Sequence, residues 1–193
     1  EARERLRRWL VGGELPQPAA AADADELARA ARALGLAGRL DQALTVAPND
    51  KAWPDTTRAV LRDAHRAVLF HGTRLLSLAA RVQRLLGALG LRTLPLKGAA
   101  LASAGYVSVA ERPMADADLL LLDDWDPAVA ALRSAAFEPG EAADHALALH
   151  DPETAEVLEL HHSATSCPGL FPLDREGLWQ RSHLTDSGLR VPA

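Results

Sequence analysis

Apolar residues recur at helical intervals through the first half of the chain and at strand intervals through much of the second. Between Glu1 and about Gly90 every periodic segment reads as helix. The opening piece, Glu1 to Val11, ends at Gly12-Gly13 and a linker carrying Pro16 and Pro18. Asp25 is placed to cap a second helix, whose stripe is Leu27, Ala31 and Leu34 and whose end falls near Gly35 or Gly38. Residues Pro48–Pro54 read as a connector. Asp55 then opens the longest helix, to about Leu89, with Val60, Leu61, Ala64, Val68, Leu75, Leu78, Val82, Leu85, Leu86 and Leu89 on one stripe. Gly72 is a weak point within it and Gly90 a stop.

After Gly90 the period shortens. Thr93–Leu96 is a brief β-type run, followed by Lys97-Gly98 and a small-residue helix from Ala99 to about Ala104. Ala117–Leu122 reads as a buried strand. Trp125–Ala136 is an amphipathic helix with Pro127 in its first turn. His145–His150 and Glu156–His162 flank the turn-rich Asp151-Pro152-Glu153-Thr154, which predicts a hairpin. A short helix around Asp174–Gln180 and an apolar piece at Leu189–Val191 close the pattern. The chain thus divides into a helical region, 1–90, and an α/β region, 91–193.

Composition narrows the field of functions. The 193 residues are 48% hydrophobic and 24% charged, an ordinary globular balance that excludes a disordered chain. No apolar run approaches the ~20 residues of a membrane span. Aromatic residues make up only 4%, so the core must be aliphatic. The net charge of −5 argues against a nucleic-acid partner. The basic stretches Arg3–Arg8 and Arg81–Arg92 have the spacing of solvated helix faces. Cys167 is the single cysteine, which rules out an internal disulfide and fits a reducing compartment. No leader pattern opens the chain, so cytoplasm is the expected location. The start at Glu1, without methionine, and the abrupt end at Ala193 predict a piece of something longer.

Chemistry concentrates between Leu94 and His162. Asp116 and Asp118 alternate on the approach to an apolar strand, so they share a face, about 7 Å apart. Two such carboxylates can share a hard divalent cation such as Mg²⁺, which favours oxygen ligands and phosphates. The bland alternative is a solvated acidic loop. Gly98, at a strand-to-helix turn, leaves backbone N–H groups free to hold an anionic phosphate. On Val157-Leu158-Glu159-Leu160-His161, alternation puts Glu159 and His161 on one face and the leucines on the other. An edge strand with a wet face would show the same pattern. The histidines His145, His150, His161 and His162 do not make a zinc site, because His161 and His162 face opposite ways and no cysteine has suitable spacing. His65 and His71 lie on different faces of the long helix. Ser163 and Ser166 form no nucleophile elbow, and no Walker-type or dinucleotide loop is present.

Taken in order, Leu96-Lys97-Gly98, then Arg112-Pro113-Met114-Ala115-Asp116-Ala117-Asp118 before an apolar strand, then Glu159-Leu160-His161, resembles an uncharacterised nucleotidyltransferase family of the DNA polymerase beta-like superfamily. The resemblance runs from about Leu91 to His162. It implies an α+β fold, with a mixed-sheet nucleotidyltransferase core preceded by an all-helical N-terminal region. It implies Mg²⁺ or Mn²⁺ held by Asp116, Asp118 and Glu159, and an NTP whose phosphates meet Lys97, Gly98 and Arg112. It also implies transfer of a nucleoside monophosphate to an unidentified small-molecule or protein acceptor. Where the wider superfamily carries Gly-Ser at the phosphate turn, Lys97 supplies charge instead of a hydroxyl. His162 stands where the family often has Trp, and the C-terminal helical part that longer members carry is not in this sequence. The rival from another class is a catalytically silent scaffold that docks a protein partner through its long helix.

Overall fold

The computed structural model describes residues 1–47, 52–165, 169 and 172–193, so Ser166, Cys167 and part of the Pro48–Pro54 connector lie outside the described residues. The fold is α+β, with seven helices and a mixed five-stranded sheet among those residues. Two compact units make up the chain: Glu1–Gly72 with Ser108–Pro113, and Thr73–Val107 with Met114–Ala193. The division falls within the longest helix, beside Gly72.

The first unit is helical. It holds α1 (Ala2–Leu10), α2 (Ala21–Ala33), α3 (Ala37–Val46) and the opening turns of α4 (Asp55–Gly87). Leu6, Leu27, Leu40, Leu44, Trp53 and Leu61 form its buried core. Asp25 does not cap α2, which starts four residues earlier behind Ala20. The carboxylate that serves this end is Asp23, which accepts from the Ala19 N–H at 2.8 Å and from Arg5 at 2.7 Å. Asp25 instead accepts from the Thr57 hydroxyl at 2.6 Å. At the other end of α2, Gly35 takes φ +70°, and the Leu36 N–H returns to the Ala31 carbonyl at 2.7 Å. This glycine-terminated cap satisfies orphan carbonyls and releases the chain directly into α3. The periodicity of the sequence does not predict α3.

The second unit is built on a sheet of order β1-β2-β5-β4-β3. Its strands are β1 (Thr93–Pro95), β2 (Ala117–Leu121), β3 (Glu138–Ala143), β4 (Ala146–His150) and β5 (Val157–His161). Strand β2 runs parallel to β5, and every other pairing is antiparallel. The expected hairpin is β4–β5. The apolar pattern does not predict β3, an edge strand whose six residues are all exposed.

Alternation gives the sheet two unlike faces. On one, Leu119, Leu121, Leu158 and Leu160 join Leu75, Leu78, Val82 and Leu86 of α4, with Ala128 and Leu132 of α6 (Trp125–Ser134). Val60 and Leu89, placed on the α4 stripe by period alone, are instead 45% and 62% exposed. On the other face, Leu94, Leu120 and Leu122 meet Leu178 and Trp179 of α7 (Arg175–Arg181). The Gln83 side chain ties α4 to β1 and to the C-terminal segment, donating to the Thr93 and Arg190 carbonyls and accepting from the Arg190 N–H.

Candidate active site

Parallel pairing of β2 with β5 sets Asp118 directly beside Glu159. Two residues further along β5, on the same face, comes His161. The chain between β1 and α5 (Lys97–Ser103) closes the group from the side, where the Leu96 N–H donates to the Asp118 carbonyl at 3.0 Å. Lys97 is the first residue of α5 and takes φ +46°. A non-glycine residue there is strained by roughly 1–3 kcal/mol and persists only where its surroundings hold it. The helix thus begins at Lys97 rather than at Ala99. The left-handed conformation falls on the lysine, while Gly98 lies buried within the first turn.

Lys97 Nζ lies 2.6 Å from Asp118 Oδ1 and 3.6 Å from Glu159 Oε2. His161 Nε2 approaches the same two oxygens at 2.8 and 3.3 Å. Asp118 and His161 are buried, while the Lys97 side chain is 55% exposed. Burial by itself would push the Asp118 carboxyl up, but hydrogen bonds from His161 and Lys97 outweigh it and hold the group below its ordinary value. Burial likewise works against the Lys97 ammonium, and the bond to Asp118 more than restores it, so its proton is held more tightly than usual.

Asp116 stands in the bend just before β2 rather than on the strand, so strict strand alternation with Asp118 does not apply to it. It remains within electrostatic reach of the group. Burial first, then the Asp118 and Glu159 charges, push its carboxyl above the usual range. Asp118, Glu159 and His161 bring one ligand atom each to within 4.8 Å of one another, and Asp116 is not among these three. Arg112 is exposed and belongs to the Ser108–Pro113 segment of the first unit, whereas the residues of this group belong to the second. Strand alternation predicts that His161 shares a face with Glu159 but assigns it no role. Its signal was the alternation Glu-x-His.

Three carboxylates face one ammonium. The surplus negative charge, and the raised proton affinity of Asp116 that comes with it, is what a divalent cation would relieve. The oxygen donors suit the hard ions Mg²⁺ and Mn²⁺. Lys97 occupies the near side of Asp118, but its flexible, half-exposed stem can carry the ammonium away. The residues therefore fit such an ion.

A family model described as an uncharacterised nucleotidyltransferase matches residues 20–193. The chain belongs to this family. Neither the curated proteins nor the solved structures yield a match to it. For a nucleotidyltransferase, the strand-borne pair Asp118 and Glu159 and the lysine above them are the chemically equipped part of the second unit. No described helix is long and apolar enough to cross a membrane.

Proposed function

We propose that this nucleotidyltransferase moves a nucleoside monophosphate from an NTP to a hydroxyl of a small-molecule or protein acceptor. The acceptor oxygen bonds to the α-phosphorus, the bond from that phosphorus to the β-bridging oxygen breaks, and pyrophosphate leaves. The observation that carries the reading is the pairing of Asp118 with Glu159 on adjacent strands, under a lysine, in a chain of this family. Asp116, Asp118 and Glu159 would hold Mg²⁺ or Mn²⁺. When bound, that ion supplies charge stabilisation to the phosphates. Glu159 is the half-exposed member of the pair and is suited to take the acceptor proton. Lys97, at the head of α5, holds the triphosphate by its ammonium, with Gly98 beside it. In this reading residues 91–193 form the catalytic core, 1–90 a helical region before it, and the protein works in the cytoplasm.

One observation favours the silent scaffold as a second reading: Lys97 already neutralises Asp118 at 2.6 Å, where a cation would act. Calorimetry with each of the four NTPs, with and without Mg²⁺, separates the two. The enzyme reading expects Mg²⁺-dependent binding of at least one NTP, lost in Asp116→Asn/Asp118→Asn while the fold is kept. Equal NTP affinity in that double variant, or no NTP binding by the parent protein, would leave the scaffold.

A further inference from the structure

We infer that His161 is a positioning residue, an Nε2–H donor that fixes the Asp118 carboxylate, and not a ligand to the metal ion. This deepens the proposed function at the same site and rests on it only where a metal is concerned.

Proximity alone would suggest the opposite, because His161 Nε2, Asp118 and Glu159 could together grip one ion. The ring's other nitrogen decides between the two. Nδ1 is buried and has no hydrogen-bond partner among the described residues. A histidine that ligates through Nε2 carries its proton on Nδ1 and almost always donates it to a carboxylate or carbonyl. Here that proton would be a buried donor with nothing to receive it, a costly arrangement. In the same tautomer the bare Nε2 lone pair would face carboxylate oxygens at 2.8 and 3.3 Å. Moving the proton to Nε2 removes both faults. Nε2–H then donates to Asp118 Oδ1, and Nδ1 is left as an unmatched acceptor, which costs less than an unmatched donor.

The surroundings hold the ring in this orientation. His161 is 2% exposed, on a strand paired on both sides, to β2 and to β4. The His145 ring lies against it, centroids 5.5 Å apart and tilted by 42°. Lys97 and His161 therefore have unlike tasks at one oxygen. The exposed lysine can leave Asp118, whereas the buried imidazole keeps the carboxylate aimed when it does.

The test is ¹⁵N NMR of histidine-labelled protein, with the His161 resonances assigned from His161→Gln. Long-range couplings report which ring nitrogen carries the proton, first in the metal-free protein and then with Mg²⁺ added. The proton on Nε2 in both states is expected. A proton on Nδ1 with Nε2 bare, in either state, overturns the inference. Calorimetric Mg²⁺ affinity gives a second arm. The Gln amide N–H reaches about as far as Nε2–H, so His161→Gln should stay within about threefold of the parent protein. His161→Ala, lacking the donor, should lose roughly 10–100-fold. Equal losses in both variants would mark His161 as a ligand. Should the parent protein bind no Mg²⁺, the proposed function fails, while the tautomer of the metal-free protein still decides the role of His161.

Discussion

Two buried aspartates in the second unit are neutralised by cations, yet only one belongs to the candidate site. Asp151 and Asp118 are 2% and 3% exposed, and in each burial pushes the carboxyl up while bonds to its partners bring it below the ordinary range. At Asp151 the partners are Arg81 of α4, the Thr154 hydroxyl and the Glu153 N–H. Arg74 holds the same turn, donating to the Thr154 carbonyl at 2.8 Å and pairing with Glu156 at 3.0 Å. At Asp118 one partner is a half-exposed lysine on strained backbone, two more carboxylates stand close, and the second partner carries an orphaned nitrogen. A buried charge by itself marks nothing. Surplus like charge together with a removable counter-ion marks a place where something else binds.

The largest effect expected from breaking this contrast is on stability, at Asp151. Asp151→Ala takes the acceptor from Arg81, the Thr154 hydroxyl and the Glu153 N–H together, leaving Arg81 only its pair with Glu153, and should cost about 2–4 kcal/mol, read from denaturant unfolding. Because the folded Asp151 carboxyl lies below its unfolded value, its contribution is complete above the ordinary carboxylate range and drains away as pH falls through the lower, folded value. The variant should therefore show a flatter acid limb in stability against pH than the parent. A loss under 1 kcal/mol would make the Arg81 pair ornamental and remove the contrast.

Lys97→Ala should act on ligands and leave the fold nearly untouched. NTP binding weakens by roughly 1.5–3 kcal/mol, the size of one charge-assisted contact. Mg²⁺ alone binds more tightly, since a competing cation has left the carboxylates. Unfolding shifts by no more than about 1 kcal/mol, as for other half-exposed ion pairs. Opposite signs for metal and nucleotide would sharpen the comparison. A large stability loss with unchanged ligand binding would make Lys97 a second Arg81.

Much of this arrangement is legible in the sequence, for reasons that differ by element. Strand β5 alternates cleanly, with Leu158 and Leu160 toward α4 and Glu159 and His161 on the other face, whereas β2 is a near-continuous apolar run in which Asp118 is the one polar residue. That places Glu159 and His161 together, and Asp118 opposite the core leucines. The edge strand β3 escaped because Glu138-Pro139-Gly140-Glu141 buries nothing and pairs through backbone alone. The start of α2 was misplaced because the side chain serving it, Asp23, reaches back from inside the helix rather than standing at its cap. Alternation also could not show that Lys97, rather than its neighbour Gly98, bends into the left-handed region, because that follows from the carboxylate it reaches. The unit to which Arg112 belongs depends on long-range packing that no local pattern encodes.

The parallel pairing of β2 with β5 also bears on the order in which the protein folds. Asp118 and His161 are 43 residues apart in sequence, whereas β3, β4 and β5 follow one another through short turns. Closing a long loop costs more chain entropy than closing a hairpin, so the three-stranded meander assembles ahead of the contact that unites the carboxylates. The charged cluster therefore arises at the end of folding, when β2 docks, and its mutual repulsion falls on the folded state rather than on the nucleus. Leu147→Ala in β4 should slow folding, while Leu119→Ala in β2 should chiefly speed unfolding, as stopped-flow kinetics would show. The reverse pattern would mean that the long closure comes first.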